Sequence, residues 1–251
     1  MKTIVHNLAT EYQDEGNGPI MLFLHGWKAD AHTFDPLISG FVDAFRVIRL
    51  DLPGFGGSEA PREPWGVGDY SVFVNAFIQK LGISINTLIG HSFGGRIIIK
   101  GVAIGELHPT KVVLIASAGL STHKKLRNRL FTVLAKVGKA IMRIFPVSIR
   151  TRLRRALYEK AGSSDYLDAG TLRETSLKVI REDLSGYAKG MKVPTLLIWG
   201  ENDTATPLSD GKRLHSLISN SQLKVLEGAG HFVHQERAED VSALITTFIS
   251  Q

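Results

Sequence analysis

A chain of 251 residues with 43% hydrophobic and 22% charged content is long enough for one large globular domain carrying an insertion. The absence of cysteine excludes disulfides, thiolate catalysis and cysteine-ligated metal, and the nine histidines do not fall at metal-ligand spacings such as His-Glu-x-x-His, so neither a metal nor a cofactor is expected. The formal charge is +6; no stretch reaches about 18 uninterrupted apolar residues, and Met1-Lys2-Thr3-Ile4-Val5-His6-Asn7 lacks a charged start followed by an apolar core, so we expect neither a membrane span nor a signal peptide, and a cytoplasmic protein.

The first 20 or so residues read as one or two edge strands. Short apolar runs predict strands at Met21–Leu24, Val47–Leu50, Asn86–Ile89, Val112–Ala116, Thr195–Trp199 and Leu223–Leu226, and their length and character suit a parallel sheet covered on both faces. Val72–Leu81 and Val241–Ile249 show helical spacing of apolar residues, and Arg96–Ile104 continues as a helix after the third of those runs. The alternation of strand and helix is interrupted over Ser121–Lys189 and then resumes. The fold class is therefore α/β, a mostly parallel central sheet with helices on both faces, with 1–120 and 190–251 as core and 121–189 as insertion.

Gly90-His91-Ser92-Phe93-Gly94 is the most informative stretch, a Gly-x-Ser-x-Gly turn between a predicted strand and a predicted helix. A serine on so sharp a turn has strained backbone angles, and its neighbours must be small. Its hydroxyl stands at the start of a helix, where free N–H groups favour developing negative charge. A serine hydroxyl is a poor nucleophile until a base takes its proton, and the base needs an orienting carboxylate. Downstream, a strand-like run ends in Trp199-Gly200-Glu201-Asn202-Asp203, and another leads into Glu227-Gly228-Ala229-Gly230-His231-Phe232. Each candidate follows the carboxyl end of an apolar strand, where open α/β sheets place their sites.

At this point the chain resembles the α/β-hydrolase superfamily over nearly its whole length. Met21-Leu22-Phe23-Leu24-His25-Gly26-Trp27 looks like the strand and His-Gly turn that supply an oxyanion donor. Arg49-Leu50-Asp51-Leu52-Pro53-Gly54-Phe55-Gly56-Gly57-Ser58 resembles the family's Asp-x-Pro-Gly-x-Gly-x-Ser segment, Trp199–Asp203 its acid loop and Gly230-His231 its histidine loop. The resemblance implies Ser92 as nucleophile, His231 as base, Asp203 as orienting acid, and the backbone N–H groups of Trp27 and Phe93 as the oxyanion hole. Glu201 is the rival acid and His234 the rival base; we read Glu201 as a solvated or loop-bracing carboxylate and His234 as a helix-entry residue. His25 and His91 are expected to hydrogen-bond loop backbone, and Asp51 to brace its own glycine-rich loop. Gly54-x-Gly56 is too short a pattern for a phosphate site.

In this family the insertion carries a helical cap. Here 121–189 holds 16 Lys or Arg against 6 Asp or Glu, a net of +10 in a chain of +6, which leaves −4 for the remainder. Leu126, Leu130, Val133, Val137, Ile141 and Ile144 give a helix one apolar face, Pro146 ends it, and Arg150, Arg152, Arg154 and Arg155 follow. Three readings compete: an ordinary lid helix with a solvated basic back, a dock for an acidic partner such as an acyl carrier protein, and a basic amphipathic helix on anionic lipid. No nucleic-acid motif accompanies the charge. The His25-Gly26-Trp27 turn is also similar to that of the pimeloyl-carrier-protein methyl ester esterases of biotin synthesis. The resemblance implies a serine hydrolase acting on a small-molecule ester, with a carbon–carbon bond hydrolase of vinylogous diketone acids as the enzyme alternative and a ligand receptor that retains the three residues as the non-enzyme one.

Overall fold

The computed structural model describes residues 1–120 and 172–251, so the predicted helix through Ile144 and the arginines from Arg150 to Arg155 lie outside the described residues. Eight strands form one sheet in the order β1-β2-β4-β3-β5-β6-β7-β8. They are β1 Lys2–Val5, β2 Leu8–Glu15, β3 Ile20–Leu24, β4 Arg46–Leu50, β5 Ile85–His91, β6 Lys111–Ile115, β7 Thr195–Gly200 and β8 Ser221–Leu226. The pairs β1–β2 and β2–β4 are antiparallel, and every pair from β4 through β8 is parallel. Of the one or two edge strands expected at the amino end, β1 lies at the sheet edge, while β2 is enclosed between β1 and β4.

Alternate side chains of each central strand enter opposite cores. Leu22 and Leu24, Leu88, Val112 and Leu114, and Leu197 and Trp199 join one apolar cluster. Met21 and Phe23, Ile89, Val113 and Ile115, and Leu196 and Ile198 join the other. The first cluster lies under α2 (Val67–Leu81), α3 (Phe93–Ala103), α5 (Ser185–Gly190) and α6 (Leu208–Leu217); the second lies under α1 (Asp35–Ile38), α7 (Val233–Glu236) and α8 (Ala238–Ile249). Among the described residues the remaining α-helix is α4, Arg173–Arg181. This two-sided burial explains why the strands read as continuous apolar runs. β8 differs: it closes the sheet edge, its side chains are half-buried to exposed, and Lys224 at its centre blunts the open ladder.

The helix expected from Val72 starts five residues earlier, at Val67. Gly66 is extended and its N–H donates to Asp69 Oδ2 at 2.7 Å, while Gly82, at φ 62°, stops the helix. Gly68 lies in the first turn, where a Cβ would come within 3.2 Å of the Lys100 ammonium of α3. The end of the insertion folds back on α3. Leu184 N donates to Gly119 O at 2.9 Å, and Val179, Leu184 and Ala188 are buried in the first cluster. Among the described residues no helix is long and apolar enough to cross a membrane.

β3 pairs with β4 on one side and β5 on the other, so chain order reverses direction between them. The carboxyl ends of β3 and β5, where Leu24 and Gly90 stand in register, are thus the switch point at which open α/β sheets place their sites.

Candidate active site

Ser92 sits at the carboxyl end of β5 with φ 48° and ψ −102°, in a region that L-residues seldom enter. Glycines make room for this. A Cβ on Gly90 would lie 2.6 Å from the Gly94 carbonyl carbon, and one on Gly94 would overlap the Leu24 carbonyl. The turn is held from outside by backbone bonds. Ser92 N donates to Ile115 O at 3.0 Å, Ala118 N donates to Ser92 O at 3.1 Å, and Gly94 N donates to His25 O at 3.0 Å.

From this turn a chain of hydrogen bonds runs outward. Ser92 Oγ lies 3.1 Å from His231 Nε2, and His231 Nδ1 lies 2.8 Å from Asp203 Oδ2. Asp203 Oδ1 accepts from the N–H groups of Ala205 and Thr206, each at 2.8 Å, and Oδ2 accepts from Thr206 Oγ1 at 2.7 Å. Burial opposes ionisation of this carboxyl, but the hydrogen bond and charge of His231, with the bonds from Thr206, outweigh it and hold it below the ordinary carboxylate value. Asp203 is therefore an acceptor only, and His231 Nδ1 carries the hydrogen between them. That leaves Nε2 of the neutral ring as the acceptor for the Ser92 hydroxyl. Glu201, the rival acid, is exposed and takes the Gly228 N–H at 3.2 Å, tying the acid loop to the histidine loop.

Beside Ser92 lies the turn after β3. A Cβ on Gly26 would stand 3.5 Å from Ser92 Cβ and 2.9 Å from His91 Nδ1, so only glycine fits there. Trp27 follows, its ring 5.2 Å edge-on to Phe93, and Phe93 opens α3, where first-turn N–H groups have no intrahelical partner. His25 fixes this turn: its Nδ1 bonds Gly26 O at 2.7 Å, and its Nε2 accepts Leu52 N at 2.9 Å. Asp51 does more than brace its own loop. Its Oδ2 accepts Gly57 N at 2.8 Å and its Oδ1 accepts Ala31 N at 2.7 Å, tying two loops at the strand ends.

Behind the site the rings of His91 and His234 meet at a tilt of 50° with centroids 4.3 Å apart, both buried. His91 Nε2 donates to His231 O at 3.1 Å, so the histidine before the serine holds the loop of the histidine that faces it. His234, in the first turn of α7, bonds Thr33 Oγ1 at 3.1 Å. Burial, reinforced by the other histidines, pushes His91 well below the ordinary histidine value; burial together with His231 pushes His234 down to about 3. Both rings stay neutral in ordinary buffers. Among the described residues no group of His, Asp and Glu is placed to hold a metal ion.

Two residues escaped the sequence reading. Thr206 contacts Asp203, and an Asp followed three residues later by Thr is the spacing of a local side-chain turn that could have revealed it. Arg96 is buried in α3 and donates to the Val179 and Glu182 carbonyls at the end of the insertion; burial lowers its guanidinium to about 10 against the pull of Glu182 and Asp183. A lone arginine in an apolar helix gave no hint of these partners.

Residues 21–244 match the model of the alpha/beta hydrolase family. An uncharacterised hydrolase of Bacillus subtilis (strain 168), YugF, is 29% identical over 252 residues, covering 95% of this chain and 92% of that protein. The 2-hydroxy-6-oxononadienedioate/2-hydroxy-6-oxononatrienedioate hydrolase of Klebsiella pneumoniae is 26% identical over 242 residues, covering 90% and 83%. Among solved structures, an esterase from Exiguobacterium antarcticum has the same fold, with a TM-score of 0.77, 22% identity and full coverage of both chains.

Proposed function

The chain belongs to the α/β hydrolase family, and from that premise we propose that it cleaves carboxylic esters through an acyl-enzyme formed on Ser92. The observation that carries this reading is the unbroken line from Ser92 Oγ through His231 to Asp203, at 3.1 and 2.8 Å, standing at the switch point of the sheet. His231 Nε2 takes the hydroxyl proton as Ser92 Oγ attacks the ester carbonyl carbon. Asp203 keeps the ring in the required tautomer and stabilises the imidazolium. The N–H groups of Trp27 and Phe93 receive the tetrahedral oxyanion, a contribution worth on the order of 10²–10³ in turnover for one such donor. Collapse breaks the bond to the alkoxide, which leaves with the proton from His231. Water then gives its proton to His231 and attacks the acyl carbon, and Ser92 Oγ recovers a proton as the acid departs.

The Klebsiella relative favours a second reading, hydrolysis of a carbon–carbon bond in a vinylogous diketone acid by the same residues. Such a substrate brings carboxylates that need cationic partners. Arg96, the buried cation on the helix that Ser92 begins, is committed to main-chain carbonyls of residues 179 and 182. This commitment supports the ester reading.

Steady-state turnover of p-nitrophenyl esters of increasing acyl length, beside a panel of diketone acids, separates these readings and the receptor alternative. Ester turnover by the wild type, lost in Ser92→Ala, is expected. Turnover of the diketone acids alone overturns the ester reading, and turnover of neither favours a receptor.

A further inference from the structure

Thr206 is 8% exposed, and its hydroxyl meets three groups: Asp203 Oδ2 at 2.7 Å, Ala116 O at 3.0 Å and His231 Nδ1 at 3.3 Å. It has one hydrogen to give. A carboxylate oxygen at 2.7 Å cannot face a lone pair without repulsion, so the hydrogen lies toward Oδ2 in a charge-assisted bond, with Ala116 O close enough to share it. The 115–118 turn has a matching peculiarity. Ala116 is a non-glycine residue at φ 45°, and this conformation brings its carbonyl to Thr206. The same turn holds both backbone groups of Ser92, accepting Ser92 N at Ile115 O and donating Ala118 N to Ser92 O. Thr206 therefore stands between the acid loop and the cradle of the serine. It closes a ring that runs from Ser92 through the 115–118 turn, Thr206, Asp203 and His231 back to Ser92.

We propose that Thr206 is a positioning residue for Asp203: its hydroxyl fixes the carboxylate in the orientation that receives His231 and ties that carboxylate to the turn that cradles Ser92. The two N–H groups on Oδ1 leave Oδ2 free to swing, and the Thr206 hydroxyl removes that freedom. The main chain at 206 has a separate duty, accepting Trp199 Nε1–H at 2.7 Å, which survives any change of side chain. The hydroxyl can thus be deleted without touching the anchor of the loop.

The inference rests on the reading of Ser92, His231 and Asp203 given under the proposed function, and its test has one readout that does not need turnover. Thr206→Val keeps the branched shape and removes the hydroxyl. Its kcat on a short p-nitrophenyl ester should fall about tenfold, the scale of one hydrogen bond to a charged group, with KM within about twofold. Thr206→Ser should keep kcat within about threefold of the wild type, and Thr206→Ala should resemble valine, which isolates the hydroxyl should the valine protein not fold. The proton on His231 Nδ1, followed by NMR, should move in the valine and alanine proteins and hold its place in the serine protein. Unchanged kcat and an unmoved resonance in a folded Thr206→Val or Thr206→Ala protein would overturn the proposal, as would a serine variant as impaired as the alanine one. Should the wild type turn over no ester, the proposed function fails by itself, and the resonance in the same variants still decides for or against Thr206.

Discussion

The nucleophile elbow and the acid loop each hold one functional side chain at the end of a strand, and they do so by different means. Ser92 is placed by its main chain: a left-handed φ, glycines where a Cβ would strike backbone, and bonds from the neighbouring β6 turn. Asp203 sits in an unexceptional turn and is placed by donors, the N–H groups of residues 205 and 206 and the hydroxyl of Thr206. Backbone strain demands particular residue types at fixed offsets, so the elbow is written in the sequence. Hydrogen-bond placement can be met by many residues, so the acid loop is not. The comparison also separates consequences, because damage to the elbow should be felt in folding and damage to the acid loop in chemistry.

The largest expected effects test the chemistry of both regions. Ser92→Ala and His231→Ala should each lower ester turnover by about 10⁴-fold or more, and the double variant should be little worse than either, because the pair acts as a unit. Asp203→Asn should cost on the order of 10⁴ in kcat, while Glu201→Gln stays within about twofold. Near-normal activity in Asp203→Asn with loss in Glu201→Gln would move the acid to Glu201.

A stability measurement sharpens the comparison. A Cβ at position 94 overlaps the Leu24 carbonyl, so Gly94→Ala should cost about 3 kcal/mol or more by denaturant unfolding. Asp203→Asn leaves both N–H donors an acceptor and should cost less. Equal costs would erase the distinction between backbone placement and hydrogen-bond placement.

A smaller effect concerns the histidines behind both loops. His91 and His234 have folded values depressed below the unfolded one, so their contribution to stability is full above about pH 6.5 and is lost as pH falls through that value, down to about 3 for His234. The slope reaches at most about 1.4 kcal/mol per pH unit for each ring. Asp203, also depressed, adds loss in the same direction only below its unfolded value near 3.9. His32, raised by exposed Asp35, works the other way, and solvent screening keeps its share small. Unfolding measured between pH 7.5 and 4.5 should therefore show stability falling with pH, and His234→Gln should flatten the curve; an unchanged slope in that variant would contradict the assignment.

The smallest effect is expected outside both regions. Changing Arg150, Arg152, Arg154 and Arg155 to Gln should leave turnover of a short neutral ester within about twofold at moderate salt, since a charge acts only weakly on a neutral substrate. A large loss on that substrate would place those arginines in the chemistry.

The central strands and the elbow were legible in the sequence, because two-sided burial writes continuous apolar runs and the strained turn writes glycines, whereas Asp203 and His231 were named through the family resemblance. Three features were hidden. The first turn of α2 was not legible because Val67-Gly68-Asp69 carries too little apolar periodicity of its own, and its cap is a bond from the Gly66 backbone N–H to the Asp69 carboxylate. The contacts of Arg96 run to residues 179 and 182, and nothing local to α3 encodes them. The bond of Thr206 to Asp203 is local and readable from its spacing, but its tie to Ala116, 90 residues away and in an unusual conformation, is not.

The central claim is that Ser92 carries the acyl group. A short-chain p-nitrophenyl ester mixed with the enzyme and quenched in acid during turnover, then digested and weighed by mass spectrometry, tests it directly. The account predicts the mass of one acyl group on the peptide containing Ser92, absent from Ser92→Ala. A stoichiometric burst of p-nitrophenol with the acyl group on another residue, or with none on the Ser92 peptide, would contradict it.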